Sequence, residues 1–297
     1  MKTPACFSVA VDVQIADRLR EDLLSQGFEI TTPPHTILSG KKKGLSCTLY
    51  KSGKLTVQGK EMAHFIEFYL EPEILKEFRF SHPAATLDLT PRIGLDEAGK
   101  GDLFGPLCIA GVYADGPGIQ QLLEWGIADS KKLSDDKALK LATKIKASYS
   151  YTVIRLFPTK YNELYNKFKN LNRLLAWAHT AALSNLVEKT GCQTAILDQF
   201  ADKSLVDRQI ASKKLSVHLT QRTKGEEDLV VAAGSILARA AFLEGLKELG
   251  QEHGVTLPKG ASSHVKEAAR KILEHSGREI LSKLAKMHFK TIQEISS

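Results

Sequence analysis

Three acidic points in this chain stand where carboxylates can do chemistry. Asp96 and Glu97 close a short apolar stretch that starts at Ile93, and the turn Gly99-Lys100-Gly101 follows them. Asp198 ends the apolar run Thr194-Ala195-Ile196-Leu197, and Glu226-Glu227-Asp228 precede a long apolar stretch that begins at Leu229. Taken singly, Asp198 reads as an acid terminating a strand, and the triplet as carboxylates stabilising a helix N-terminus. Gathered at one place they repel one another unless a divalent cation neutralises them. An all-oxygen ligand set favours Mg²⁺ or Mn²⁺ over zinc. A pair of such metals can activate water, hold a scissile phosphate and stabilise the leaving oxygen. Zinc has no ligand cluster here: Cys6, Cys47, Cys108 and Cys192 lie far apart, with no C-x-x-C pair and no His nearby at ligand spacing.

Side chains of adjacent strand residues point to opposite faces. Asp96 and Glu97 therefore serve one site only where their strand ends or is distorted, which places them at a sheet rim. A phosphate loop is excluded. Gly94, Gly99 and Lys100 fit G-x-x-x-x-G-K, but Gly101 stands where the Mg²⁺-binding Ser or Thr belongs, and Asp96 and Glu97 would put two negative charges into an anion cradle. The dinucleotide fingerprint fails as well, because Asp102-Leu103-Phe104 before Gly105 is one residue too long.

The elements that must position these acids fall into two groups. Residues 6–13 alternate with period two, and Ile15, Leu19, Leu23 and Leu24 recur at helical spacing. Strands over 45–50 and 55–58 flank a turn at 51–54, and helical spacing returns at Met62, Phe65, Ile66 and Phe68. Pro83 and Pro91, with Ser and Thr around them, read as a linker, giving domains 1–85 and 86–297. The larger group reads as strands at 93–96 and 107–113, then a helix over 135–146 behind the N-cap Ser134. A strand at 151–156, helical segments over 161–188, strands at 194–197 and 215–220 and a long helix over 227–250 complete it. This order predicts an α/β mixed sheet flanked by helices, with a small N-terminal α+β domain. Trp125, Trp177 and His179 fall in apolar helical patterns and read as core.

Composition narrows the partners. The 297 residues are 43% apolar and 25% charged, with a net charge of +7 that favours a polyanion. Between Lys41 and Lys60 stand six lysines and no acid, enough for a basic stripe along phosphates or for an edge-protecting solvated hairpin. No apolar run reaches the roughly 18–20 residues of a membrane span, the longest being interrupted by Arg239. Asp12, Asp17 and Arg18 come too early for a signal peptide, and the scattered cysteines suit free thiols. A cytoplasmic location with no membrane partner is the expectation.

The segment Asp96-Glu97-Ala98-Gly99-Lys100-Gly101-Asp102-Leu103-Phe104-Gly105-Pro106-Leu107 resembles the opening motif of the type 2 ribonucleases H, in the Gly-Lys-Gly form of the ribonuclease HIII branch. Asp129-Ser130-Lys131-Lys132-Leu133-Ser134 is similar to the family's Asp-Ser-Lys-Lys-Leu block. Thr223-Lys224-Gly225-Glu226 leading into Ala232–Arg239, and Leu257-Pro258-Lys259-Gly260-Ala261, resemble two later motifs in the same order. The likeness runs from about residue 92 to the end, and the N-terminal unit is similar to that branch's substrate-binding extension, which resembles the TATA-binding-protein fold.

What the resemblance implies is a ribonuclease H-like catalytic domain that hydrolyses the RNA strand of RNA/DNA hybrids, leaving 5′-phosphate and 3′-hydroxyl ends. It implies Asp96, Glu97, Asp198 and Glu226 as catalytic ligands of Mg²⁺ or Mn²⁺. Counting from either side disagrees by a residue, so Glu227 and Asp228 stay open beside Glu226. By the same resemblance the Gly99-Lys100-Gly101 turn reads the RNA 2′-hydroxyl, and Ser130 and Lys131 hold phosphates. The Gly-Tyr pair by which ribonuclease HII recognises a lone ribonucleotide is missing, Leu257-Pro258-Lys259-Gly260 standing there instead. His264 reads as a surface histidine rather than a proton shuttle. The rival readings are excision of single ribonucleotides from DNA and hybrid binding without catalysis. A monomer is expected.

Overall fold

Inward-facing residues of period two build the first sheet. In the computed structural model, which describes residues 6–78, 80–81, 87–127 and 133–296, Leu45, Cys47 and Leu49 of one strand and Leu55 and Val57 of the next are all buried. The chain divides into two compact units, Met1–Asp88 and Leu89–Ser297. The linker expected near residue 85 lies outside the described residues.

The first unit runs β1 (Phe7–Ala10), α1 (Ala16–Ser25), β2 (Glu29–Thr31), β3 (Thr36–Lys42), β4 (Leu45–Tyr50), β5 (Lys54–Gly59) and α2 (Met62–Phe65). Its antiparallel sheet has the order β1-β5-β4-β3-β2. Leu19 and Leu23, one helical turn apart on α1, are fully buried with Leu38, Phe65 and Ile66. Two strands, β2 and β3, were not expected from the sequence. Residues 36–42 end in lysines and follow Pro33-Pro34, so their alternation is weak; pairing to β2 on one side and β4 on the other makes the strand.

The second unit carries the acids. Its strands are β6 (Arg92–Ala98), β7 (Leu107–Ala114), β8 (Ser150–Leu156), β9 (Thr194–Asp198) and β10 (His218–Arg222), in the order β10-β9-β6-β7-β8. β6, β7 and β8 pair antiparallel, and β6, β9 and β10 parallel, as the mixed-sheet expectation requires. The helices are α3 (Gly116–Glu124), α4 (Asp135–Ser148), α5 (Pro158–Phe168), α6 (Leu171–Thr190), α7 (Ser204–Ser212), α8 (Leu229–Glu252), α9 (Ser263–Leu284) and α10 (Lys290–Ser296). Ser134 caps α4 as expected, accepting from Lys137 N. The helical segments expected over 161–188 are α5 and α6, parted where Lys169 adopts φ 53°.

Both faces of this sheet are covered. Leu95 and Ile109 point into one core with Leu175, Leu183 and Leu186 of α6. Cys108 points the other way, into a core with Phe242 and Leu246 of α8 and much of α9. α8 is long and apolar enough to span a membrane by composition alone, but most of it is buried inside the protein. A core helix covered on most sides has this composition without any membrane.

Candidate active site

β6 does not end at its acids. Asp96, Glu97 and Ala98 stay in regular register with Ala110, Ile109 and Cys108 of β7. The distortion expected there is absent, and the two carboxylates diverge. Asp96 interacts with Ser235 on α8, whereas Glu97 reaches His179 on α6. The rim lies instead on the β9 side, where pairing with β6 stops at Leu95↔Leu197. Asp198, the next residue of β9, closes its strand beside Asp96, and its charge is felt there.

Burial pushes the Asp96 carboxyl up to about 7, and the negative charges of Glu97 and Asp198 add to the rise, against hydrogen bonds from Ser235 and from the Glu97 N–H at 2.7 Å. Glu97 behaves in the opposite way. Burial works to raise its pKa but is outweighed by the hydrogen bond and charge of His179 and by Lys100, leaving it below the usual range. Nε2 of His179 stands 3.0 Å from one Glu97 oxygen, and Nζ of Lys100 stands 3.4 Å from the other. His179 is buried in α6, as its sequence pattern suggested, but it also faces the site, which that pattern did not reveal. A lone histidine in the run Ala176-Trp177-Ala178-His179-Thr180-Ala181-Ala182 is the signal that was there to read.

Gly225 presses the third acidic point against the second. Its N–H donates to Asp198 Oδ1 at 2.7 Å, and a Cβ on Gly225 would lie 2.8 Å from Asp198 Cα. The short 3-10 turn Gly225–Glu227 therefore starts at the end of β9, and half-buried Glu226 follows directly. Its two neighbours are engaged elsewhere. Glu227 is exposed and pairs with Lys224. Asp228 is buried, caps α8 by accepting from the Val230 and Val231 N–H groups, and takes Arg92 at 2.8 Å and Arg222 at 3.2 Å.

That division predicts different losses. Asp228→Asn removes the buried charge that pairs with Arg92 and Arg222, costing about 3 kcal/mol in urea denaturation while Mn²⁺ affinity stays near wild type. Glu226→Gln should do the reverse. A Glu226→Gln protein that binds Mn²⁺ normally would remove this residue from the site.

The glycine turn carries two different requirements. Gly99 has φ 84°, and a Cβ there would strike the Pro106 carbonyl at 2.3 Å, so its glycine serves the fold. Gly101 has no such reason: its φ is ordinary and a Cβ would meet nothing within 4 Å. An open, side-chain-free backbone beside an acidic site leaves room for a molecule from outside. Gly101→Ala should keep wild-type stability and weaken binding of the RNA/DNA hybrid that the resemblance implies about tenfold or more, read by fluorescence anisotropy in chelator. Unchanged affinity would show that nothing approaches there.

The exit of this turn is held from the far end of the chain. Lys286 is fully buried and donates to the Asp102 and Gly105 carbonyls, each at 2.8 Å. Gly260 N donates to Asp102 Oδ1, while Leu103 N donates to Gly260 O. The late Lys259-Gly260 segment thus braces the turn, and Lys259 also pairs with Asp135. Ser130 and Lys131, expected to hold phosphates, lie outside the described residues. His264 is exposed.

Among the described residues, no three His, Cys, Asp or Glu side chains converge as a metal-holding group. The acids are nonetheless of the right kind for a hard cation. They are oxygen donors on adjacent strands, and the Asp96 carboxyl is raised by burial and then by neighbouring negative charge that a divalent ion would offset.

Comparison with known proteins finds relatives along nearly the whole chain. The family profile described as Ribonuclease HII matches residues 93–292, and a domain family of unassigned function, DUF3378, matches residues 8–80. Ribonuclease HIII of Protochlamydia amoebophila (strain UWE25) is 53% identical over 289 residues, covering 97% of this chain and 96% of that protein. Ribonuclease HIII of Chlamydia trachomatis serovar D is 48% identical over 98% of each chain. Among solved structures, Bst-RNase HIII in complex with Mn²⁺ superposes with a TM-score of 0.69 at 28% identity over 98% of each chain. Aquifex aeolicus RNase H3 gives a TM-score of 0.57 at 27% identity, covering 95% of this chain and 99% of that one.

Proposed function

This chain belongs to the ribonuclease HIII family, and from that premise we propose that it hydrolyses the RNA strand of RNA/DNA hybrids with Asp96, Glu97, Asp198 and Glu226 as its metal-holding acids. The observation that carries the assignment is the crowding of negative charge around Asp96, at the rim where β6, β9 and the Gly225–Glu227 turn meet. Oxygen-only donors select Mg²⁺ or Mn²⁺. Such an ion supplies the Lewis acidity that makes water nucleophilic at neutral pH and takes up charge on the phosphate.

The chain's own groups do the rest. Lys100, part-exposed beside Glu97, offers an ammonium to the scissile phosphate or its neighbour. The bare backbone at Gly101 approaches the RNA sugar, where the 2′-hydroxyl distinguishes RNA from DNA. Ser130 and Lys131 would hold flanking phosphates. Lys41, Lys42, Lys43, Lys51, Lys54 and Lys60 of the N-terminal unit supply counter-charge to the duplex backbone. In-line attack on phosphorus expels the 3′ oxygen, leaving 5′-phosphate and 3′-hydroxyl ends, with no covalent enzyme intermediate. The reading takes the enzyme as a cytoplasmic monomer.

The test is cleavage of a labelled RNA/DNA hybrid and of a duplex with one embedded ribonucleotide, each with Mg²⁺, Mn²⁺ or chelator. Metal-dependent cutting of the hybrid, weak at the lone ribonucleotide, is expected. Preference for the lone ribonucleotide would transfer the protein to single-ribonucleotide repair. Binding without cutting would end the catalytic reading.

A further inference from the structure

Glu97 sits on the face of β6 that looks away from Asp96, and its direction is therefore set by what it meets there. It meets a histidine at the heart of the core. His179 is 1% exposed, flanked on α6 by the buried Leu174, Leu175, Ala178 and Thr180, and its Nε2 lies 3.0 Å from Glu97 Oε2. The other ring nitrogen, Nδ1, is buried with no hydrogen-bond partner. An apolar residue would fill this core position without that unmet group, so the fold alone gives no reason for a histidine. The carboxylate contact does.

The ring is also locked in plane. Phe200, two residues beyond Asp198, stacks on His179 with centroids 5.0 Å apart and an interplanar angle of 14°. Lys100 lies over the same phenyl ring at 5.6 Å. Nε2 faces a carboxylate, which only accepts, and so must carry a hydrogen toward it. The Nε2–H is thus a fixed donor on a rigid helix, aimed at one oxygen of a carboxylate that extends from a strand. The remaining partner, Lys100, is over a third exposed at 3.4 Å and holds its oxygen loosely.

We infer that His179 is the positioning residue for Glu97: it fixes the carboxylate's rotamer from the core side, so that Glu97 is preorganised for the divalent ion. The inference rests on the assignment of Glu97 as a metal-holding acid. It follows the rule that donors behind a ligating carboxylate set its orientation, and that their loss typically weakens metal binding 10- to 100-fold.

Two amides separate this role from simple core filling. Gln places its side-chain NH₂ where histidine carries Nε2, and Asn places it where histidine carries Nδ1. His179→Gln should therefore keep Mn²⁺ affinity within about threefold of wild type, and His179→Asn should weaken it by roughly 10- to 100-fold. Mn²⁺ binding is read by titration calorimetry and by electron paramagnetic resonance on protein shown folded by circular dichroism. Hybrid cleavage by His179→Asn should approach wild type as Mn²⁺ is raised, since the loss is in metal affinity. If His179→Asn does not fold, Phe200→Leu, which frees the imidazole plane and leaves the hydrogen-bonding atoms in place, should weaken Mn²⁺ at least about threefold.

Glu97→Gln is the reference. If it loses Mn²⁺ affinity while every folded His179 and Phe200 variant binds as wild type, the inference is overturned and the histidine is only core. If Glu97→Gln itself binds Mn²⁺ normally, the assignment of Glu97 has failed, and the inference with it.

Discussion

Asp96→Asn is expected to abolish hybrid cleavage, by about 10²- to 10³-fold or more, and at the same time to make the metal-free protein more stable at neutral and alkaline pH. The two effects share one cause. Burial and the charges of Glu97 and Asp198 lift the Asp96 carboxyl to about 7, far above its ordinary value. Between about pH 4, where the unfolded chain gives up this proton, and about pH 7, the native state binds more protons than the unfolded one. Stability must then fall as pH rises through that window.

Asparagine keeps the shape and has no charge to confine, so the advantage of the variant should be absent near pH 3.5, grow through pH 4–7 and level off by pH 8. Its plateau is on the order of a few kcal/mol. Added Mn²⁺ should invert the order, because an ion that binds only the native wild type stabilises it by mass action. Urea denaturation of both proteins at pH 4, 6 and 8, in chelator and in Mn²⁺, reads all of this. Equal stabilities at pH 8 in chelator would mean that Asp96 is not held under charge stress, and would remove the main physical support for a cation at this rim.

The acids themselves were legible because their types break local rules. Carboxylates at the ends of apolar strand patterns stand out, and Asp96, Glu97 and Asp198 do lie on β6 and β9 as their spacing suggested. Which of Glu226, Glu227 and Asp228 belongs with them was not legible, since an N-terminal acid cluster serves a helix equally well at each position. Tertiary partners give the three different surroundings: Arg92 comes from 136 residues away to pair with Asp228.

The same limit hid three other features. His179 looked like core and is core, but its second role depends on a strand crossing beneath α6, 82 residues distant in sequence. Nothing in the local sequence singles out Lys286, whose carbonyl partners lie at 102–105. β3 was obscured by lysines at its end, since a strand held by neighbours on both sides needs little propensity of its own. Local pattern announces elements and unusual residues. Long-range pairing decides what those residues are for.

Gly94→Val should cost more than about 5 kcal/mol, enough on the scale of ordinary domain stabilities to leave the second unit without a native state. Gly94 lies two residues before Asp96, on the face of β6 that turns to α8. An added Cβ would stand 2.2 Å from Val231 N and 2.3 Å from Val230 C. These are backbone atoms in the first turn of a buried helix, so no side-chain rotation relieves the clash. The helix must move by more than an ångström or the strand must leave the sheet.

Overpacking by a methylene in a yielding core costs about 1–3 kcal/mol; here a branched side chain meets rigid main chain. The close approach is mutual, since a Cβ on Gly234 of α8 would come within 3.1 Å of the Gly94 carbonyl. It also has a use: docking α8 this tightly sets the Gly225–Glu227 turn against Asp198 and brings Ser235 to Asp96. Gly94→Ala, with a smaller group in the same clash, should fold marginally if at all and lose Mn²⁺ affinity along with stability. Circular dichroism and urea denaturation of Gly94→Ala beside Gly101→Ala give the contrast directly. Two glycines seven residues apart should answer oppositely, the first through folding and the second through hybrid affinity. A stable Gly94→Ala protein with a native midpoint would show that α8 can slide on β6, and that the acidic rim does not depend on this crossing.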